Sequence, residues 1–190
     1  LRLEDFVPDA PATAAPAARL SRDPDWIDGV EVSLLAPHSD ERGSLVELLT
    51  TREGPIEPIV HVYHVTSLPG SCRAWVYHRH QFDRLAFVAG HFRVALYDIR
   101  ANSATRHRLN VFDFGIDKPS LLRIPPFVVH GVKNVGIEVS SFVNMPTRAY
   151  LPNDPDKCRL PANDPRIPFS LDDCRAVLFG GDRYPRARRT

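Results

Sequence analysis

Eighteen prolines and ten glycines are scattered through the 190 residues, and no apolar stretch between them runs long enough for the helices of a bundle. The intervening pieces have strand chemistry. Short segments rich in Val, Ile, Phe and Tyr follow one another at 30–35, 44–50, 59–66, 72–79, 85–89, 92–98, 121–124 and 139–145. Turn groups such as Glu53-Gly54-Pro55, Leu68-Pro69-Gly70 and Ala89-Gly90 separate them. This pattern is that of an all-β antiparallel sandwich or barrel. Residues 1–25, dominated by Ala and Pro, read as a mobile or surface-draped arm, 26–170 as the barrel and 171–190 as a C-terminal extension. Six prolines between Pro146 and Pro168 are expected to forbid regular ladders and make that stretch a wrapping loop, and 171–179 suits one short helix.

Charge excludes several roles. Lys and Arg number 24 against 23 Asp and Glu, a net charge of +1, so no basic field exists to hold nucleic acid. The local exception, Arg183, Arg186, Arg188 and Arg189, reads as a solvated terminus. No apolar run approaches a membrane span or a secretory signal core, and a soluble chain is expected. Three cysteines, Cys72, Cys158 and Cys174, at unrelated spacings give neither a disulfide framework nor a zinc ribbon, which favours a reducing, cytoplasmic compartment.

Eight histidines are many for this length. Alternation along 72–80 puts Val76, His78 and His80 on one face and Trp75, Tyr77 and Arg79 on the other, so two imidazoles can reach one atom. Asp83 and Gly90 follow, and later come Pro125, His130 and Asn134. Together these blocks resemble the paired motifs of the cupin superfamily. The resemblance implies a double-stranded β-helix, a jelly-roll barrel with a few short helical segments, whose interior can hold one divalent metal on His78, His80, Asp83 and His130. Imidazole and carboxylate donors suit Fe, Mn, Ni, Cu or Zn. The alternative is a metal-free pocket in which the same side chains bond to substrate or to polar neighbours.

A second resemblance spans about 28–170. The runs Pro37-His38-Ser39-Asp40-Glu41-Arg42-Gly43-Ser44-Leu45-Val46-Glu47 and Val94–Arg100 with Ser103-Ala104-Thr105 are similar to those of dTDP-4-dehydrorhamnose 3,5-epimerases and related sugar isomerases. So are Arg73, Ile124–Gly131 and Asn163-Asp164-Pro165. That family implies an epimerase or isomerase acting on a dTDP-linked 4-keto-6-deoxysugar, in a homodimer formed by strand exchange. Arg42 and Arg73 would hold the diphosphate and Glu47 would frame the nucleotide, a task for which bidentate guanidinium is suited.

Epimerisation beside a ketone needs a base and an acid on opposite faces of the ring. The family's base is a His where this chain has Val76, and its acid is a Tyr of a late strand, for which the resemblance implies the position of Val143. Neither Val can move a proton. The family's base is oriented by an Asp, which corresponds to Asp164. The pattern therefore points to replacement catalysts, His78 and His80, with His61, Tyr63 and His130 lining the substrate pocket. The competing readings are a metal-dependent cupin enzyme on another oxygenated substrate and a cupin that binds without turnover.

Overall fold

The structure is a computed structural model that describes residues 21–52 and 54–171 together with Arg2, Asp5 and Val7. Most of the N-terminal arm, the expected helix beyond Leu171, Cys174 and the Arg-rich tail lie outside the described residues. Among those described, the elements are strands only: β1 (Glu31–Leu34), β2 (Pro37–Asp40), β3 (Gly43–Val46), β4 (Tyr63–Ser67), β5 (Cys72–His78), β6 (Asp83–Ala89), β7 (His91–Asp98), β8 (Leu109–Gly115), β9 (Ser120–Ile124), β10 (Val128–Asn134), β11 (Ser140–Asn144) and β12 (Lys157–Arg159). The short helical segments expected of the fold are not among these elements.

The strands pair antiparallel into two five-stranded sheets, β1-β9-β6-β11-β4 and β12-β5-β10-β7-β8, with β2 and β3 forming a separate hairpin. This is the double-stranded β-helix of the cupins. Alternation decides what lies between the sheets. Phe92, Val94 and Leu96 of β7, Leu85 and Phe87 of β6, Phe112 and Phe114 of β8, and Phe142 of β11 meet in one buried cluster. Phe87 is completely buried, with the rings of Phe92, Phe114 and Phe142 at 5.3, 5.4 and 5.2 Å. Removing such a ring costs about 3–5 kcal/mol.

Residues one step out of phase cover the outer faces. Ala86, Leu121, Met145 and half-buried Val143 form a cluster on the back of the first sheet. Trp75, Ala95 and Val129 form another on the back of the second, beneath Ile167 and Leu171. The Pro-rich segment thus wraps the barrel as expected, and Trp75 Nε1 donates to the Ala162 carbonyl at 3.1 Å. One expectation is corrected here: between Pro155 and Pro161 no proline intervenes, and β12 forms a ladder on β5, with Lys157 opposite His78.

Two local features shape the site. The β5–β10 register shifts between His130 and Val132, so that Ala74 and Trp75 both face the outer cluster and the alternation restarts at Val76. Gly131 lies at this bulge because a Cβ there would come within 2.6 Å of Leu171 and 2.7 Å of Ala74. Arg84 is buried and donates to the carbonyls of Met145, Glu57 and Pro58 at 2.7, 2.9 and 3.0 Å, tying β6 to the chain that leads into β4.

Candidate active site

His78 at the end of β5, Asp83 at the start of β6 and His130 in β10 converge between the sheets, all three buried. His78 Nε2 and His130 Nε2 lie 3.2 and 3.3 Å from the same oxygen, Asp83 Oδ2. Gln81 Nε2 donates to the other oxygen at 2.8 Å. Burial alone would raise the Asp83 pKa, but hydrogen bonds from His130 and His78 outweigh it and hold the carboxyl below the ordinary carboxylate range. The carboxylate is therefore ionised, and it fixes both rings.

The two imidazoles differ in their second nitrogen. His130 Nδ1 lies 3.2 Å from the Val128 carbonyl, so both of its nitrogens face acceptors. His78 Nδ1 is buried and has no hydrogen-bond partner. An imidazole held through one nitrogen by a carboxylate and left with a lone pair on the other is the arrangement of a general base. The same three ligand atoms, mutually within 4.8 Å, could also hold a metal ion, and two imidazoles with one carboxylate are a chemically suitable donor set.

Above this group opens a cavity of about 300 Å³ whose walls include His61, Tyr63, His78, His80, Tyr150 and Lys157. Tyr63 accepts a hydrogen bond from Asn144 Nδ2 at 2.7 Å, and the same amide lies 3.4 Å from Asp83 Oδ1. That second contact fixes the amide orientation, since the reverse would set two oxygens against each other. The Tyr63 hydroxyl, already accepting, keeps its own proton to donate. Burial, reinforced by the Asp83 charge, pushes its pKa up to about 12.

Comparison with known proteins assigns the chain. Residues 38–158 match the polysaccharide biosynthesis C-terminal domain family. The spore coat polysaccharide biosynthesis protein SpsL of Bacillus subtilis is 38% identical over 144 residues, covering 76% of this chain and 95% of that protein. The probable low-salt glycan biosynthesis epimerase Agl13 of Haloferax volcanii is 39% identical over 140 residues, covering 71% and 88%. The chain belongs to the polysaccharide biosynthesis C-terminal domain family. Among solved structures, a dTDP sugar isomerase from Desulfovibrio desulfuricans G20 superposes on this family member with a TM-score of 0.74 at 28% identity, covering 79% of this chain and 95% of that one. ChmJ, a 3'-monoepimerase from Streptomyces bikiniensis solved with dTDP-quinovose, shares the fold at a TM-score of 0.69 and 19% identity, with 80% of each chain covered.

Within this family member the residues singled out from sequence separate into three groups. His78, Asp83, His130, His61 and Tyr63 are brought together, His61 and Tyr63 on one face with ring centroids 5.3 Å apart. His80 stands apart from the buried group: β5 ends at His78, and His80 is exposed on the cavity rim, its backbone N–H bonded to Asp156 Oδ2 at 3.2 Å. Arg73 is exposed and donates to the Thr66 carbonyl, yet its charge reaches Tyr63 and Lys157. Outside the cavity lining are Arg42, paired with Asp40 on the β2–β3 hairpin, Glu47, paired with Arg52, and Asp164, whose carboxylate is clasped by Arg166 at 2.8 and 2.7 Å.

Val76 is buried, in register with His130. Val143, in contrast, faces the outer cluster, and the residue of β11 that reaches the site is Asn144. The residue reading also passed over Gln81, Asp156 and Lys157. Asp156 accepts from the backbone N–H groups of Arg79, His80 and Gln81 at 3.0, 3.2 and 2.9 Å and so fixes the turn between β5 and β6. The signal for Gln81 was available in the sequence, as a polar side chain two residues from Asp83.

Proposed function

We propose that this chain is an epimerase or isomerase of a dTDP-linked 4-keto-6-deoxysugar in which His78, oriented by Asp83, is the base. The buried, unpartnered Nδ1 of His78 beside an ionised carboxylate carries this reading. A small turn of the ring brings that lone pair to the cavity it lines, where it takes the proton from the carbon next to the ketone. The proton on Nε2 stays on the Asp83 side. Tyr63, with its hydroxyl proton free, returns a proton to the enolate from the other wall. Asp83 replaces Asp164 as the orienting carboxylate. The identity to glycan biosynthesis proteins and the likeness to a dTDP sugar isomerase support the substrate class.

The test is deuterium incorporation into dTDP-4-keto-6-deoxyglucose in heavy water, followed by mass spectrometry. The wild-type chain is expected to exchange at a carbon beside the ketone, and His78→Ala to lower the rate by about 10² to 10⁴. Failure of the wild-type chain to bind dTDP by calorimetry, with no exchange, would remove the proposal.

The orientation of His130, with acceptors at both ring nitrogens, supports a second reading in which one Fe, Mn, Ni, Cu or Zn ion sits among His78, Asp83 and His130. The ion would supply a Lewis acid for the substrate oxygen. One equivalent of metal in the purified protein, with activity lost on chelation and restored by the ion, selects this reading. Full exchange by metal-free protein selects the first.

The working form we propose is a homodimer in the cytoplasm. The exposed β2–β3 hairpin, with Leu45 exposed at its end, and the exposed Ile59, Val60 and Val62 leading into the edge strand β4 support pairing with a second copy. Such pairing would bring Arg42 to the partner's nucleotide. The half-buried thiols of Cys72 and Cys158 suit a reducing compartment.

A further inference from the structure

We infer that Lys157 is a catalytic residue that binds the oxygen of the reacting ketone and stabilises the enolate. The inference rests on the proposed proton abstraction by His78. Three observations carry it.

Lys157 and His78 are cross-strand partners on β12 and β5, so their side chains leave the same face of the sheet a few ångströms apart. Both line the cavity. A base that removes a proton from the carbon next to a carbonyl leaves the developing oxyanion on the neighbouring atom, so its donor must stand beside the base. The register of β12 supplies that position.

The ammonium is also uncommitted. Lys157 is half-buried, and among the described residues no hydrogen bond or ion pair engages its Nζ. The other cations of the cavity wall differ: Arg79 is tied to the Pro155 carbonyl at 3.2 Å and lies 3.7 Å from Asp154, and Arg148 is exposed on the rim. A charged donor without a partner in a partly dry cavity is prepared for an anion that forms there during the reaction.

The surroundings add a third point. Burial lowers the Lys157 pKa and the charges of Arg159 and Arg73 push it the same way, while the Asp83 charge acts against them. The ammonium is thus held near a fixed negative charge without being neutralised by contact. As the proton leaves carbon, the electron pair moves onto the ketone oxygen, and Lys157 N–H donates to it. When the carbon is reprotonated the pair returns, and Lys157 is unchanged.

The experiment measures deuterium exchange at saturating substrate and dTDP affinity by calorimetry for the full chain, Lys157→Met and Lys157→Arg, with melting temperatures as the fold check. Lys157→Met is expected to lose at least 100-fold in exchange rate while its dTDP affinity stays within threefold, and Lys157→Arg to recover part of the rate. Exchange by Lys157→Met within threefold of a wild-type chain that exchanges overturns this inference and leaves the His78 reading intact. A tenfold loss of dTDP affinity with unchanged saturated rate makes Lys157 a nucleotide ligand and also overturns it. A wild-type chain that neither binds dTDP nor exchanges removes both proposals together.

Discussion

At the residue scale the site depends on which atom each polar group has left to offer. Asn144 illustrates this. Its amide nitrogen serves Tyr63 and Asp83 at once, so the phenol accepts from Asn144 and keeps its own proton to donate. Asn144→Leu should lower the exchange rate by ten- to a hundredfold with dTDP affinity unchanged, and calorimetry beside the deuterium assay separates the two effects. Val143→Tyr should leave the rate within twofold, because that side chain leaves the outer face of the sheet; a gain in exchange would contradict the register of β11. Sequence reading reached His61, Tyr63, His78, Asp83 and His130, since strand alternation and the cupin-like spacing both report on side-chain direction. The resemblance puts Val143 at the acid's place, whereas β11 turns Val143 to the outer cluster and Asn144 to the site, a one-residue difference that strand alternation makes decisive. Asp164 is named through the resemblance alone, which carries a residue's identity but not its neighbours, and here Arg166 clasps it outside the cavity lining.

At the element scale the β7–β8 connection bears the most polar chemistry. Asp98, with no exposed side-chain surface, accepts from Arg100 Nε, Ser103 Oγ and Thr105 Oγ1 at 2.9, 2.6 and 2.7 Å. Arg100 continues the link to the Asp28 carbonyl. Burial would raise the Asp98 pKa, but these bonds win and depress it well below the ordinary range. A depressed folded pKa stabilises fully above the unfolded value near 4 and is lost as pH falls through that value toward the folded one. Asp98→Asn should therefore cost about 2–4 kcal/mol at pH 7 and progressively less below pH 4, read from urea midpoints across that range. The Asp-x-Arg-x-x-Ser-x-Thr run was legible as a motif, though its work is to pin a turn. β8 was not singled out, since Asn110 and Asp113 interrupt its apolar pattern, while Phe112 and Phe114 alone enter the core. β12 has three residues and no periodicity to read, and its existence depends on an edge presented by β5.

At the scale of the whole molecule the two sheets enclose the aromatic core, whereas the β2–β3 hairpin pairs into neither sheet and touches the barrel through Val46 at its base. Sedimentation at micromolar concentration should give twice the 21.4 kDa chain mass, and Leu45→Lys should shift the species toward the single chain. A wild-type chain that sediments alone would end the homodimer proposal. The barrel was legible as a whole because short strands and turn residues limit topology strongly. The order of events in time is a different matter, and β12 governs it. Six strands separate β5 from β12 along the chain, so their short ladder closes a long loop for little local reward. Lys157 and the Asp156 cap are therefore expected to dock after the aromatic core has formed. Native-state amide exchange should find β12 opening at lower free energy than β7 or β10. A chain in which β12 has opened would lose at once the Asp156 cap on the turn between His78 and Asp83 and the cation we assign to the enolate, so one local opening would disable the proposed site as a whole.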